Sequence, residues 1–379
     1  MLTALKIVIV TVIILVFIVF SVDFCSFIFY RYCRFHIGRW KSYLEWKKAV
    51  TNRAIKWLKY TPVVKKTDNS RYLLLDMINK NYKSQSIQSW QKASLILGLN
   101  KYDKQVVKEC INKFFNDSGE WKIKPNTVDF AMLSYTALKC SENAEKIKPA
   151  MDEMIQLIEE NMDENGIVSY TGGASNRDRY VDTIGLVCPF LALYAKKYGI
   201  TKYEDISYNQ IKFYHDYGLY KTTNLPNHAI DCDSKLPLGV YGWGRGSVWY
   251  VLGLVDTYYE LVNKDFVIQL EKWIFECAES YKDFQKQDGG YGSIIQKKNT
   301  YDSSATAGMA YFFKEVSKIF DNPQYEEISS KCIKCIQKST RITGAIDWCQ
   351  GDTKGIGVFA QTYDIMPFAQ GLIIRTIYD

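Results

Sequence analysis

Two kinds of helical segment alternate along most of this chain. Segments of the first kind are apolar on nearly every face and rich in small and aromatic side chains, which is typical of buried helices. They occupy residues 86–97, 128–138, 181–194, 245–261, 302–313 and 363–377. Segments of the second kind are rich in Lys and Glu, with apolar residues at three- and four-residue spacing, which indicates one wet face. They occupy residues 103–115, 142–160, 204–217, 265–281 and 325–339.

The first kind of segment recurs with a nearly constant period. The residues that mark successive segment starts are Asp129, Asp182, Arg245, Asp302 and Asp364, at intervals of 53, 63, 57 and 62 residues. A period of about 60 residues is too long for one helix and fits a helix pair with its loops. The sequence therefore predicts an all-α fold, an (α/α)6 toroid or six-hairpin barrel, with the apolar helices inside.

A short glycine-containing turn precedes several of the apolar segments. These turns stand at Gly119, Gly166, Gly289 and Gly344, and each can form a short hairpin or extended piece at one end of the barrel. The aromatic residues that follow them are Trp121, Tyr170, Tyr291 and Trp348. We expect these rings to rim one mouth of the toroid, where the apolar faces of a sugar can stack on them.

The N-terminal residues predict a membrane helix. The run from Ile7 to Tyr30 contains one charge, Asp23, and is long enough to cross about 30 Å of hydrocarbon as a helix. No small-residue cleavage site follows the apolar core, so a signal peptide fits poorly. We interpret residues 1–30 as a retained, single-pass membrane anchor.

The net charge of +7 comes from one stretch of the chain. Residues 31–66 carry eleven basic residues and one acid, or +10, which leaves −3 for residues 67–379. Because the excess of basic residues is confined to this one stretch, the sequence argues against nucleic-acid binding. We interpret residues 31–66 as a juxtamembrane segment whose basic residues, with Trp40, Leu44 and Trp57, meet anionic lipid, and residues 67–379 as the toroid domain. The charge favours a cytoplasmic body, and the extracellular orientation stays open.

Carboxylates are the strongest candidates for chemistry. The chain has three histidines and no serine-hydrolase, P-loop or zincin motif, and the lone Cys332-Ile-Lys-Cys335 has no partner pair for a metal site. We expect neither a metal nor an organic cofactor. Asp129, Asp182 and Asp302 each begin an apolar segment, where a carboxylate can simply cap the helix. Asp129 and Asp182 should also project into the aromatic mouth, where burial can raise one carboxyl's pKa, whereas Asp302 fits a structural role.

The densest motif is Tyr241-Gly-Trp-Gly-Arg-Gly-Ser-Val-Trp249. Its glycines let the backbone approach a neighbour closely, Arg245 supplies a fork suited to a carboxylate, and Trp243 supplies a stacking face. A structural alternative is a crowded turn in which Arg245 bridges loop carbonyls. His228, in the loop before the motif, can either reach the same mouth or serve only the loop.

Four motifs in order resemble glycoside hydrolase families 88 and 105, the unsaturated glucuronyl and rhamnogalacturonyl hydrolases. They are Val181-Asp-Thr-Ile-Gly-Leu-Val-Cys-Pro-Phe-Leu191, Gly242-Trp-Gly-Arg-Gly246, Asp302-Ser-Ser-Ala-Thr306 and Met366-Pro-Phe-Ala-Gln-Gly371. The resemblance runs over roughly residues 70–379 and implies an (α/α)6 toroid. It also implies an oligosaccharide substrate whose terminal uronic acid carries a C4=C5 double bond, which the enzyme protonates at C4 and hydrates at C5.

The resemblance also implies roles for individual residues. Asp182 matches the general acid/base, and Asp129 matches a second carboxylate that positions or tunes it. Trp243 and Arg245 match a substrate-binding motif, and His228 resembles a subsite histidine. Together with the mouth aromatics, the candidate substrate-binding residues are Arg245, Trp243, His228, Trp249, Trp121, Tyr291 and Trp348.

The chain departs from the family pattern at two points. Gly246 is followed by Ser247 and the bulky Val248, where the family usually has Gly-Asn or Gly-Gln. A basic membrane anchor is also atypical and points to surface-polysaccharide or capsule metabolism. Two alternatives stay open: a non-catalytic carbohydrate-binding or scaffold toroid in surface-polysaccharide assembly, and a terpene-cyclase-like toroid, suggested by the single segment from Phe284 to Ser293.

Overall fold

A computed structural model of the protein describes residues 1–60, 62, 64–65, 82–83, 88–170 and 176–379. The predicted start of the toroid domain at residue 67 lies outside these residues. The described chain is mostly helical. Its α-helices are α1 (Leu2–Phe35), α2 (Tyr43–Lys59), α3 (Ser89–Asn100), α4 (Lys104–Asn112), α5 (Ala131–Cys140), α6 (Lys148–Glu160), α7 (Asp182–Tyr198), α8 (Lys202–Tyr217), α9 (Gly244–Tyr258), α10 (Lys264–Lys282), α11 (Ser303–Ile319), α12 (Pro323–Lys338) and α13 (Pro367–Ile377).

Six of these helices form a closed inner ring. Each of α3, α5, α7, α9 and α11 contacts the next in that order, α11 contacts α13, and α13 returns to contact α3. Nearly every residue of these helices is buried, since each is apolar on all faces. The amphipathic helices α4, α6, α8, α10 and α12 bury one face each. The predicted all-α (α/α)6 toroid is therefore confirmed.

Helix α2 packs on the toroid between the two helices that close the ring. It contacts α13 and α3. Its buried residues include Trp46, Val50, Ala54 and Trp57, spaced as one apolar stripe. The indole Nε1 of Trp46 donates to Oγ1 of Thr340 at 2.9 Å. We expected Trp57 to meet lipid, and the structure instead buries it, because it belongs to this stripe and not to the basic face.

Short antiparallel strands occupy several of the connections. They are β1 (Val64–Lys65) paired with β2 (Tyr82–Lys83), β4 (Leu219–Tyr220) with β5 (Leu225–Pro226), β8 (Cys349–Gln350) with β9 (Tyr363–Asp364), and a sheet of β3 (Asp178–Tyr180), β6 (Ala229–Asp231) and β7 (Pro237–Leu238) in that order. In the last two units, Cys349 faces Asp364 and Asp178 faces Asp231. Strands β3 to β9 lead into the N-terminal ends of α7, α9 and α13 and so build up that end of the toroid.

Helix α1 stands apart from this packing over most of its length. It spans 34 residues, and its most apolar window has a mean hydropathy of 3.1 with no part of that window buried. By length and composition, α1 can cross a membrane. Its last turn, however, contacts the toroid through Cys33 and Arg34.

Candidate active site

A cavity of about 310 Å³ opens at the end of the toroid where the inner helices begin. The first two turns of α3, α7 and α9, with the residues just before α3 and α9, form part of its wall, and Tyr170 and the loop between β8 and β9 contribute the rest. The lining residues are Gln88, Trp90, Tyr170, Asp182, Leu186, Trp243, Arg245, Trp249, Asp352, Thr353 and Lys354. Aromatic faces and charged groups therefore meet in one concave space, as a carbohydrate site requires.

Asp182 is the first residue of α7 and lines this cavity. Its Oδ2 atom is shielded from solvent and has no hydrogen-bond partner among the described residues. The pKa of this carboxyl is raised to about 7, chiefly by burial and to a smaller extent by the Asp352 and Asp129 carboxylates, while the Arg245 guanidinium opposes the rise. A large fraction of Asp182 is therefore protonated at neutral pH and able to donate a proton.

Asp129 lies beside this carboxyl but not in the cavity wall. It belongs to the 3-10 turn Val128–Phe130 that precedes α5, and it accepts a hydrogen bond from the Thr127 hydroxyl. Its charge acts on both Asp182 and Tyr170 and raises the pKa of each, after the larger effect of burial. The two predicted catalytic carboxylates thus interact electrostatically, and Asp129 is not one of the lining residues.

Arg245 both lines the cavity and holds the loop above it. The side chain is buried, and its two terminal nitrogens donate to the carbonyl oxygens of Gln350 at 2.7 Å and Gly351 at 2.8 Å. The structural alternative for this residue, a bridge between loop carbonyls, is therefore what the structure contains. The same guanidinium remains close enough to Asp182 to oppose the rise of its pKa.

Trp243 belongs to a cluster of three aromatic rings in mutual contact and is the one that lines the cavity. Its ring centroid lies 4.7 Å from that of His228 and 5.5 Å from that of Phe359. His228 is buried, and its Nδ1 accepts a hydrogen bond from the Gly357 amide at 3.1 Å. Burial and then Arg245 lower the pKa of His228 to about 4, so the ring is neutral. The histidine therefore packs against Trp243. We counted it among the candidate substrate-binding residues, but it does not line the cavity.

A second aromatic cluster contains Trp90, Trp249 and Phe368. Trp249 and Trp90 both line the cavity, with ring centroids 5.5 Å apart in an edge-to-face arrangement. Phe368 of α13 packs against both, at 4.6 Å and 5.3 Å. Because these rings brace one another across three inner helices, their faces are held in fixed positions.

The family of the chain follows from a comparison with known sequences. A sequence model of Glycosyl Hydrolase Family 88 matches residues 95–376, which include the whole inner ring from within α3 onward. The chain belongs to glycosyl hydrolase family 88. It is therefore a glycoside hydrolase, and the resemblance found in the sequence is confirmed. No curated protein matches the chain.

Solved structures of glycoside hydrolases have the same fold as this family 88 hydrolase. A possible family 105 member from Salmonella enterica has a TM-score of 0.72 at 17% identity, covering 88% of this chain and 92% of that one. A family 105 glycoside hydrolase from C. acetobutylicum gives 0.66 at 17%, covering 80% and 97%. The unsaturated glucuronyl hydrolase from Bacillus sp. GL1 gives 0.61 at 14%, covering 86% and 93%. At these identities the likeness establishes the fold.

The family 88 hydrolase does not use all the predicted mouth aromatics in its cavity wall. Trp121 is buried and donates from Nε1 to the Ala150 carbonyl of α6 at 2.7 Å. Tyr291 is buried and donates to the Tyr281 carbonyl at 3.1 Å. Trp348 is partly exposed but stacks under the Arg34 guanidinium at 4.3 Å. Of the four predicted rim aromatics, only Tyr170 lines the cavity.

The positions of these aromatics follow a rule within the glycine turns. The second residue after each turn glycine is buried in all four turns: Trp121, Val168, Tyr291 and Ile346. In three of the turns this residue forms an isolated antiparallel bridge to the end of the preceding outer segment. Tyr170 and Trp348 instead stand fourth after their glycines, two residues beyond the buried position and outside these bridges. Aligning the four turns in the sequence would have separated Tyr170 from Trp121 and Tyr291.

Several lining residues were missed by the sequence analysis. Trp90 lies in the first turn of α3, and its aromatic type inside a recognised apolar segment was the available signal. Asp352, Thr353 and Lys354 come from the β8–β9 loop, which carries no spacing that would connect it to α7. Asp302, in contrast, has the expected structural role, since its Oδ1 accepts from the Ser304 amide at 2.8 Å at the start of α11.

Proposed function

We propose that this family 88 hydrolase acts on oligosaccharides that end in an unsaturated uronic acid, with Asp182 as the general acid. The observation that carries the proposal is a carboxyl with a pKa raised to about 7 in an aromatic-lined cavity. An enol ether needs a proton donor and then water, and a carboxyl that is protonated near neutral pH meets the first need.

The reaction proceeds by protonation and hydration, without displacement at the anomeric carbon. The Asp182 proton goes to C4 and the C4=C5 electrons form the new C–H bond, which leaves an oxocarbenium ion at C5. Water then adds at C5, and a proton from this water restores the acid. The resulting C5 hemiketal opens to a ketone, which frees C1 as a hemiacetal that expels the neighbouring sugar. The distance rule for paired carboxylates in ordinary glycosidases therefore does not apply.

The charges around Asp182 suit each stage of this reaction. Asp129 and Asp352 favour its protonated form before the reaction and stabilise the positive charge that develops at C5. Arg245 and Lys354 place positive charge on the cavity wall, where the substrate carboxylate needs a counterion. Trp243, Trp249 and Trp90 offer faces for the sugar rings.

The direct test supplies the purified full-length protein with lyase-generated unsaturated disaccharides of the glucuronyl and galacturonyl types. Hydration removes the conjugated double bond, so the ultraviolet absorbance of the substrate should fall as sugar is released. Failure to turn over any of these substrates would reject the proposed reaction. Binding without turnover would instead favour the non-catalytic carbohydrate-binding alternative.

The pH dependence of kcat/KM should follow the protonation of Asp182. Because the acid form donates the proton, activity is full below the pKa of about 7 and falls about tenfold for each pH unit above it. Asp129→Asn removes a negative charge that raises this pKa, so the alkaline limb should move to lower pH. Initial rates across pH 5–9 measure both effects. An alkaline limb that Asp129→Asn leaves in place would contradict the electrostatic role of Asp129.

We also propose that α1 and the basic residues after it tether the hydrolase to a membrane, with the body on the cytoplasmic side. The length and hydropathy of α1 support the anchor, and the excess of Arg and Lys directly after it supports the orientation. An oligosaccharide that belongs to surface-polysaccharide or capsule metabolism and reaches the cytoplasmic face of the membrane fits such an anchor.

Membrane extraction tests the anchor. The full-length protein should stay in the membrane pellet after alkaline carbonate washing, because α1 spans the hydrocarbon. The variant Ile13→Arg with Val16→Arg should be released, since each arginine costs about 2.5–3.5 kcal/mol at a helix centre. Release of the unmodified protein would reject the anchor, and protease protection of a C-terminal tag in intact cells reports the orientation.

A further inference from the structure

Arg34, in the last turn of α1, makes several contacts with the toroid. Arg34 donates from Nε and Nη2 to the two carboxylate oxygens of Asp347, at 2.9 Å and 2.8 Å, and from Nη2 to the Tyr363 carbonyl at 2.5 Å. Its guanidinium also lies 4.3 Å over the Trp348 ring. The Asp347 side chain has no exposed surface. Arg34 therefore holds both strands of the β8–β9 hairpin, because Asp347 lies two residues before β8 and Tyr363 is the first residue of β9.

The same hairpin carries one wall of the cavity. The Gln350 and Gly351 carbonyls, at the end of β8, accept the hydrogen bonds of Arg245. The amide of Gln350 donates to Oδ1 of Asp302 at 3.2 Å. The next residues, from Asp352 to Lys354, line the cavity directly. Only three residues thus separate Asp347, whose carboxylate is held by α1, from Gly351, whose carbonyl accepts a hydrogen bond from Arg245.

We propose that Arg34 is a positioning residue of the active site, through which the docked turn of α1 fixes the β8–β9 hairpin and the cavity wall that it carries. The membrane helix is then part of the catalytic architecture and not only a tether. This inference rests on the proposed function for its kinetic consequences, and on the contacts alone for its structural ones.

The hairpin has a second clamp, so loss of Arg34 should loosen it without unfolding the toroid. Arg341 donates from Nε to Asp347 at 2.7 Å and from Nη2 to Asp364 at 2.7 Å. Asp347 therefore keeps one guanidinium partner in an Arg34 variant and is not left as an unpaired buried charge. The variant loses the hydrogen bond to the Tyr363 carbonyl, which holds β9, and the contact with the Trp348 ring, which holds the residues just before β8.

A loosened hairpin should change the protonation of Asp182 in one direction. The groups whose charges act on Asp182 are Arg245 on α9, Asp352 on the hairpin loop and Asp129 on the 3-10 turn, with the hydroxyls of Tyr170, Tyr180 and Tyr214 nearby. Displacement of Asp352 removes a negative neighbour, while Arg245 on α9 continues to favour the ionised form of Asp182. The alkaline limb of the pH profile should therefore move to lower pH.

The test compares Arg34→Ala, Arg34→Lys and Arg31→Ala in the full chain, held in one detergent and assayed on a lyase-generated unsaturated disaccharide. Arg31 is the matched control, because it lies one turn earlier on α1, is exposed and stacks on Phe27 of the same helix. Arg34→Ala should lower kcat/KM by about 10- to 100-fold, mainly through KM, and shift the alkaline limb. Arg34→Lys should recover only part of this, since an ammonium cannot make both parallel bonds. Arg31→Ala should match the unmodified protein.

Hydrogen exchange supplies a readout that does not need turnover. Amides in residues 347–365 should exchange faster in Arg34→Ala than in Arg31→Ala, while those of α7 keep their rates. Unchanged KM, pH profile and exchange in Arg34→Ala would overturn the inference even if the enzyme is active. If the unmodified protein turns nothing over, the proposed function fails and exchange alone decides the inference. If Arg34→Ala does not fold, Arg34→Lys carries the same comparison.

Discussion

Asp182→Asn should lower kcat on unsaturated uronyl disaccharides by about 10²- to 10⁴-fold, the usual contribution of a general acid. The amide has the size of the carboxyl but no proton to give to C4, so the enol ether must wait for a proton from water. Burial already disfavours the charged carboxylate at this position, so replacing it by a neutral amide should not destabilise the fold. The loss of double-bond absorbance gives kcat, and tryptophan fluorescence on titration gives the dissociation constant.

A matched variant separates loss of the acid from a general disturbance of this region. Asp178→Asn changes the same side chain four residues earlier, on β3, outside the cavity wall. It should keep its kcat, and both variants should bind the disaccharide as the unmodified protein does. Full activity in Asp182→Asn would assign the proton to another group. Equal losses in both variants would mean that the substitution acts through the fold of the β3 region.

The fold was largely predictable because the inner helices have no wet face. A helix that is apolar all round, such as α7 or α11, must be surrounded by other helices, and six of them at a regular period leave few arrangements other than a ring. The position of α2 was harder to predict. Its many lysines suggested a lipid surface, whereas the stripe of Trp46, Val50, Ala54 and Trp57 packs against the toroid. The lipid-surface interpretation gave more weight to the number of basic residues than to the spacing of the apolar ones.

The site was predictable where chemistry and helix starts coincide. Asp182, Trp243, Arg245 and Trp249 were found because each belongs to a motif at the beginning of an inner helix, and those beginnings meet at one end of a toroid. Asp352 was not found, because the loop between β8 and β9 reaches the cavity only through the fold of the hairpin. The aromatic residue type alone could not assign Trp121, since a buried indole whose Nε1 has a carbonyl partner is as stable as one at a sugar site.

Asp256→Asn should destabilise the protein by about 3–5 kcal/mol, the usual cost of breaking a buried ion pair by removing one charge. Asp256 of α9 and Arg375 of α13 are both buried at the end of the ring opposite the cavity, where Nη1 of Arg375 donates to Oδ2 of Asp256 at 2.8 Å. Tyr311 of α11 donates to Oδ1 at 2.9 Å, so one carboxylate joins three inner helices. Urea unfolding followed by tryptophan fluorescence should give a lower midpoint with the same slope.

The loss of stability in Asp256→Asn should come from the Arg375 guanidinium, which is left buried without a charged partner, and not from a net attraction within the pair. Two variants separate these causes. Asp256→Leu combined with Arg375→Met replaces both charges by apolar groups, so it should recover much of the lost stability. Asp216→Asn removes the acid from a solvent-exposed pair with Lys212 on α8 and should change stability by less than about 1 kcal/mol. If the double variant is no more stable than Asp256→Asn, the pair itself holds the ring together, because then the polar contacts with Tyr311 and Arg375 are worth more than their desolvation costs.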